Sequence, residues 1–200
     1  MKETEFIKIK TLLKEGGIFA YPTETVYGLG ADPYSRTAVE KVLALKGRSL
    51  HQTPLLLIPD REWLPKLTKR VSPVAERLMD LFWPGPLTLI FEASRDIPSW
   101  LLRDNETIAL RISSHAWVKS FIQFYGEPLI STSANPSGKE SALSLDKVHA
   151  YFGPELLCVD GGVLSGSHGS TIVAIEGDNV RILRKGELSE DEIRSKVRDE

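Results

Sequence analysis

The sequence carries one cysteine, Cys158, in 200 residues. No intramolecular disulfide can form, and a structural zinc site of the Cys-rich type is excluded. The apolar neighbours in Leu156-Leu157-Cys158-Val159 make Cys158 read as a buried strand thiol rather than a nucleophile. Histidine is also scarce. His51, His115, His149 and His168 stand far apart, and none forms a metal-ligand pair at helical spacing. No apolar run approaches the length of a membrane span. Met1-Lys2-Glu3-Thr4-Glu5 carries both charges and leads into no apolar stretch, so no secretory leader is read. The expectation is a cytoplasmic protein with no membrane partner. In that setting the sequon Asn105-Glu106-Thr107 has no consequence. Charge of one sign is lacking too: 25 Lys and Arg face 27 Asp and Glu, a net charge of −2. A wholesale polyanion binder would usually be strongly basic, although a local basic site stays open.

What is present reads as one globular domain over residues 1–200. Phe6, Ile9, Leu12 and Leu13 repeat at helical spacing, and Gly16-Gly17 ends that helix. Ile18 to Tyr21 reads as a strand, and Val39, Val42, Leu43 and Leu45 as a second helix. Leu55 to Ile58 is a strand between prolines. Ser72-Pro73 opens a helix, with Ser72 as its N-cap. Strands follow at Leu87 to Phe91 and Thr107 to Arg111, then a helix from Ala116 to Tyr125. Pro128 to Ser131 is a strand, and Ser144 caps a helix from Leu145 to Tyr151. Strand candidates at Leu156 to Val159, Thr171 to Ile175 and Val180 to Leu183 precede a last helix opened by Ser189. Alternating helices and strands predict an α/β domain with a twisted mixed sheet flanked by helices.

The familiar nucleotide signatures are missing. Gly161 to Gly166 has the Walker spacing, but Ser167-His168 replaces the Lys-Ser/Thr pair. Gly28-Leu29-Gly30 is followed by Ala31-Asp32-Pro33 and fails the dinucleotide fingerprint. Polar side chains gather instead in loops at strand ends, where α/β sheets hold ligands. Tyr21 to Gly30 sets Thr23, Glu24 and Thr25 between two tyrosines. Such a run is either an irregular turn satisfying its own backbone or a binding loop. Lys46-Gly47-Arg48 is either a helix C-terminus complementing its dipole or a clamp for an anion. Trp83-Pro84-Gly85-Pro86-Leu87-Thr88 fixes a rigid turn from which Thr88 could reach a site. Ser131 to Gly138 holds more hydrogen-bonding side chains than a turn needs, and reads as either a ligand loop or an Asx or Ser turn. Gly169-Ser170-Thr171 and Arg184-Lys185-Gly186 complete the set.

In this order the segments resemble the YrdC/Sua5 family, the threonylcarbamoyl-AMP synthases of tRNA modification. Tyr21 to Gly30 resembles its PTETVYGLG signature, Lys46-Gly47-Arg48 its KxR element and Trp83 to Thr88 its WPGPLT. Ser133-Ala134-Asn135 is similar to its SxN, and Gly169-Ser170-Thr171 to its (G/E)ST. The resemblance runs from about residue 12 to 186. The chain departs from the pattern at Ser49, where the family often has Pro, and at Arg111-Ile112-Ser113, which lacks a Pro. It ends soon after Gly186, so the short YrdC type is expected.

The resemblance implies a YrdC fold, related to dihydroxybutanone-phosphate synthase, with a large basic concave cleft. It implies that L-threonine, bicarbonate and ATP give threonylcarbamoyl-adenylate and pyrophosphate, the first step of t6A formation at position 37 of tRNA. tRNA itself would be reached through other proteins of that route. Every species on this path is anionic, so charge neutralisation and positioning are expected to carry catalysis. Lys46 and Arg48 are the expected catalytic pair. ATP would be held by them with Thr88, Ser133, Asn135 and Arg184, and threonine by Thr23, Thr25, Arg111 and Ser170. Arg111 and Arg184 are interchangeable at this stage between nucleotide and threonine carboxylate. Mg²⁺ would accompany ATP without a dedicated protein site. Glu24 reads as a loop-ordering carboxylate ahead of a general base, Tyr27 as packing, and His51 as solvated. The alternatives are a YciO-like paralogue without this activity, a dihydroxybutanone-phosphate-synthase-like enzyme, and an RNA-binding module, which the net charge disfavours.

Overall fold

The computed structural model describes residues 2–48, 54–166, 168–177 and 179–198. Ser49, the Leu50-His51-Gln52 stretch and Ser167 lie outside these described residues. The chain opens with helix α1 (Lys2–Lys14), strand β1 (Ile18–Tyr21), strand β2 (Gly28–Ala31), helix α2 (Arg36–Lys46) and strand β3 (Leu55–Leu57). A short helix α3 (Leu64–Leu67) leads to α4 (Pro73–Phe82), β4 (Leu87–Glu92), β5 (Thr107–Arg111) and α5 (Ala116–Tyr125). The rest is β6 (Leu129–Ser133), α6 (Leu145–Phe152), β7 (Leu157–Cys158), β8 (Thr171–Glu176), β9 (Asn179–Arg184) and α7 (Glu190–Arg198).

Local chemistry explains most of these bounds. Ser72 accepts from the Ala75 amide and Ser144 from the Lys147 amide, so both act as the N-caps their sequence positions predict. Gly47 closes α2 at φ 63°, its amide bonded back onto the last turn. Cys158 lies on a strand as read, half-buried rather than fully buried, and burial pushes its thiol up to about 11.

Two elements differ from the sequence reading. β6 begins one residue later than expected and continues to Ser133, carrying the Ser131 and Ser133 positions into the sheet. Gly28 to Ala31 is a strand, although its glycines pointed to a loop. It pairs with β1, Tyr21 opposite Gly28 and Phe19 opposite Gly30. A Cβ on Gly30 would lie 2.5 Å from the Phe19 ring. The glycines therefore make room for aromatic rings from the neighbouring strand.

The described strands form one mixed sheet in the order β7-β1-β2-β6-β3-β5-β4-β8-β9. β1–β7, β3–β5 and β4–β8 run parallel, and the other neighbours antiparallel. One face presents Leu56, Leu89, Leu110, Ile130 and Val173 to α2, α4 and α7, forming the main core. The other face is only partly covered. Phe6, Ile9 and Leu13 of α1 and Val118, Phe121 and Ile122 of α5 pack over Phe19, Leu57 and Leu129. Along the same face, two residues from Leu57 and Leu129, stand Leu55 and Ser131, both of which line an open cleft. The end of the helical cover exposes the face on which the motif loops converge.

Candidate active site

The cleft has a volume of about 380 Å³. Its floor holds small side chains, Gly28 of β2, Ser131 and Ser133 of β6 and Ala109 of β5. Among the described residues, Arg48, Arg103, Arg111, Lys139, Arg184 and Lys185 line it, with Glu140 as the one carboxylate. Thr23, Thr25, Ser133 and Ser170 line it as well. Of the residues expected from sequence, it thus gathers Arg48, Arg111, Arg184, Thr23, Thr25, Ser133 and Ser170. A larger hollow of about 700 Å³ lies beside β7, between α1 and α6, and gathers none of them.

Lys46, Asn135 and Thr88 sit in the layer behind the wall. Lys46 is 1% exposed. Its ammonium donates to the Ser133 carbonyl, to Ser133 Oγ at 3.2 Å and to the Asn135 carbonyl at 2.7 Å. The Asn135 amide donates to the carbonyls of Pro136 at 3.0 Å and Lys139 at 2.7 Å. Together they fold the Ser133–Lys139 loop into a fixed shape. Arg48 reaches the same loop from outside, Nε donating to Ser137 Oγ at 3.0 Å. Thr88 is fully buried, with its hydroxyl 2.7 Å from Ser170 Oγ. Arg184 Nη2 donates to the Ser170 carbonyl at 2.7 Å, which holds the guanidinium at the rim.

The loop between β1 and β2 is ordered from within. The Thr23 hydroxyl donates to the Val26 carbonyl at 2.6 Å and accepts from the amides of Thr25 and Val26. Thr25 Oγ1 lies 3.0 Å from Thr23 Oγ1. The turn that satisfies its own backbone and the loop that lines a cleft are the same structure. Tyr27, a buried residue that also lines the cleft, ties this loop to the next. Its hydroxyl accepts from the Gly161 amide and donates to the Gly162 carbonyl, each at 2.9 Å.

Glu24 is the ordering carboxylate. Oε2 accepts from the Ser113 hydroxyl, and Oε1 accepts from the Ser114 amide at 3.0 Å. Oε1 also stands 2.7 Å from Arg111 Nη2, a close charge contact without hydrogen-bond alignment. Burial by itself raises the Glu24 pKa, but Arg111, Ser113 and Ser114 together hold it down to about 2. Glu24 is therefore ionised at neutral pH and is a weak base, which favours its ordering role. Arg111, 4% exposed, also donates from Nε to the Gly85 carbonyl at 3.0 Å. Its charge is partly offset by Glu24.

Burial and neighbouring charges shift two of the site's cations. Burial, then Arg48 and Arg184, push the Lys46 ammonium down to about 7. Burial, then Arg111, Arg48 and Arg103, push Arg184 down to about 10. Arg184 stays charged at neutral pH, walled by protein around its guanidinium although much of the residue faces open solvent.

Arg103, Lys139 and Glu140 lie outside the motif segments, and Lys185, inside the Arg184-Lys185-Gly186 segment, carries no role there. The available signal for Arg103 was weak, a lone arginine before the turn-forming Asp104-Asn105 and a strand.

A family model named Sua5_yciO_yrdC and described as telomere recombination matches residues 11–186. The chain belongs to this family. A threonylcarbamoyl-AMP synthase of Pseudoalteromonas atlantica is 42% identical over 157 residues, covering 74% of this chain and 80% of the relative. Sua5 of P. abyssi, solved in complex with L-threonine, matches with a TM-score of 0.90 and 33% identity over 97% of this chain. The chain spans 57% of that Sua5 chain. E. coli YciO matches with a TM-score of 0.86 and 24% identity, covering 96% of this chain and 94% of its own, which shows the shared fold. The family's α/β architecture, a twisted mixed sheet flanked by helices, is the one observed.

Proposed function

We propose that this chain is a nucleotidyltransferase that makes threonylcarbamoyl-adenylate from L-threonine, bicarbonate and ATP. The observation that carries the reading is the extent of likeness to relatives named threonylcarbamoyl-AMP synthase, 36% identical over 85% of the chain in another case, from Coxiella burnetii. The cleft supports it chemically. Bicarbonate and the threonine amine give a carbamate and water. A carbamate oxygen then bonds to the α-phosphorus, the bond from that phosphorus to the bridging oxygen breaks, and pyrophosphate leaves with the electron pair. Each species is anionic, so cations fixed in advance lower the barrier with no nucleophilic side chain.

In this reading Arg48 and Arg184 contact the phosphates directly. Lys46 and Asn135 act through the loop that presents Ser133. Thr25 and Ser170 face the amino acid, where a polar pocket rejects valine because its own groups would be left unpaired. Magnesium enters with ATP on the phosphate oxygens. Among the described residues no cluster of three or more His, Cys, Asp or Glu could hold a metal. No described helix is long and apolar enough to cross a membrane. Action in the cytoplasm and delivery of the adenylate to tRNA-modifying partners belong to the same proposal.

The test is release of pyrophosphate from ATP with L-threonine, bicarbonate and Mg²⁺. Release that depends on both threonine and bicarbonate is expected, and its absence overturns the reading. Salt-sensitive tRNA binding without turnover would favour an RNA-binding module instead. Arg48→Ala should lower kcat/KM by about 10²-fold with an unchanged circular dichroism spectrum, the scale set by loss of one charge-stabilising donor.

A further inference from the structure

Arg103 lines the cleft, yet no motif covers it. Its backbone forms an antiparallel bridge to Thr107, the first residue of β5, with its amide donating to the Thr107 carbonyl at 2.8 Å. Arg103 therefore stands at the opposite end of β5 from Arg111, about 13 Å away along a strand rising 3.3 Å per residue. The register of the neighbouring strands sorts the other groups to these two ends. β3 runs parallel to β5, with Leu57 opposite Arg111, so its start lies toward the Arg103 end. β6 runs antiparallel to β3, with Leu55 opposite Ser131, and so carries Ser133 to that same end. Arg184 pairs with Ile172, which lies beside Thr88, one step past the Leu89–Leu110 pair. Arg184 thus belongs to the Arg111 end.

The segment that delivers Arg103 is built for its place. Asn105 and Glu106 both take left-handed backbone, at φ 57° and 53°. The Thr107 hydroxyl donates to the Asp104 carbonyl at 2.8 Å, and the Ala93 amide to the Glu106 carbonyl at 2.9 Å. Two adjacent left-handed residues without glycine form a costly turn that persists only where its surroundings enforce it. Here the turn folds the chain back along β5 and brings Arg103 to the cleft.

We propose that Arg103 binds the β- and γ-phosphates of ATP, the pyrophosphate that leaves, in the cleft it shares with Arg48. The proposal rests on the synthase reading and names a further residue of that site. The electrostatics agree: Arg103 is among the cations that depress both Arg48 and Arg184, after burial in each case. Burial lowers the pKa of Arg103 itself, and the adjacent Asp104 charge acts the other way. A multivalent anion among Arg48, Arg103 and Arg184 relieves the repulsion between them, and a guanidinium fork suits phosphate oxygens. The leaving pyrophosphate carries the larger share of the charge, so a cation at this end favours departure.

The test uses the whole chain, with inorganic pyrophosphate and ATP as titrants in calorimetry. Arg103→Ala should weaken both by about tenfold or more, the loss of one charge-assisted contact. L-threonine affinity and the melting temperature should hold. Arg103→Lys should recover part of the loss. In turnover, KM for ATP should rise while KM for threonine stays. Pyrophosphate affinity unchanged in Arg103→Ala overturns the proposal. Equal weakening of threonine and pyrophosphate also overturns it, because that is the mark of a merely structural role. If Arg103→Ala does not fold, Arg103→Lys and Arg103→Gln carry the same comparison. Wild-type protein that binds pyrophosphate through Arg103 but shows no threonine-dependent turnover would support the phosphate role and reject the synthase reading.

Discussion

Glu24 joins the loop after β1 to the segment after β5, and its protonation state decides whether that joint holds. The folded carboxyl is held near 2 against an ordinary 4.5. Its contribution to stability is therefore complete above about pH 4.5 and is lost as pH falls toward 2. At 1.36 kcal/mol per unit the shift corresponds to about 3 kcal/mol. Urea melts between about pH 5 and 2.5 should show wild type losing stability faster than Glu24→Gln. Parallel acid limbs in the two proteins would refute this. Lys46 presents the opposite case. Spacing with Arg48 marked it as a cation for phosphate, but not as a buried one, because its depth depends on Ser133 and Asn135 in a loop 87 residues or more away. With its ammonium pushed down to about 7 by burial and then by Arg48 and Arg184, an arriving anion favours the charged form. Binding of ATP near pH 8 should therefore take up a fraction of a proton, read by calorimetry in buffers of differing ionisation enthalpy. No uptake, or equal uptake in Lys46→Arg, would count against it.

Elements with their own sequence signals were legible. α4 and α6 have serine caps, α2 and α5 end at left-handed glycines, and β4, β5 and β8 are apolar runs. β2 was not, because two glycines in four residues lower strand propensity and supply no pattern. What makes it a strand is its neighbour: Phe19 and Tyr21 fill the space that Gly30 leaves. Gly30→Ala would set a methyl 2.5 Å from the Phe19 ring and 2.9 Å from the Tyr21 ring. The expected destabilisation is about 1–3 kcal/mol by overpacking, read from denaturant midpoints. A midpoint at the wild-type value would show that the rings can yield. Gly166 and Gly161 follow the same logic between loops. A Cβ on either would collide with the Thr25 carbonyl or with Pro22, and each lets the later loop lie against the signature loop.

At the scale of the whole molecule the alternation of elements gave the α/β class, but not the strand order. β6 lies between β2 and β3, and β8 beside β4. No local pattern encodes such neighbours; register between distant segments decides them. The net charge of −2 had a similar limit. It argued against a strongly basic surface overall, whereas the gathering of Arg48, Arg103 and Arg184 around one cleft depends on distant contacts, such as Arg48 with Ser137 and the β8–β9 register.

The cleft's lining comes from β2, β3, β5, β6, β8 and β9, which span residues 28 to 184. No fragment of the chain can assemble it, and a locally opened form loses it. Ligand therefore reports on, and acts on, the entire folding equilibrium. At a concentration of 100 Kd, ATP should stabilise the native state by about 2.7 kcal/mol. The gain should appear as one cooperative shift in the melting curve and as slower proteolysis throughout the sheet. Protection confined to the loops at the rim would mean that the cleft forms without the rest. For a chain of this topology, ligand supply and fold maintenance are linked: each tenfold rise in ligand concentration above Kd adds about 1.4 kcal/mol to the stability of the whole sheet.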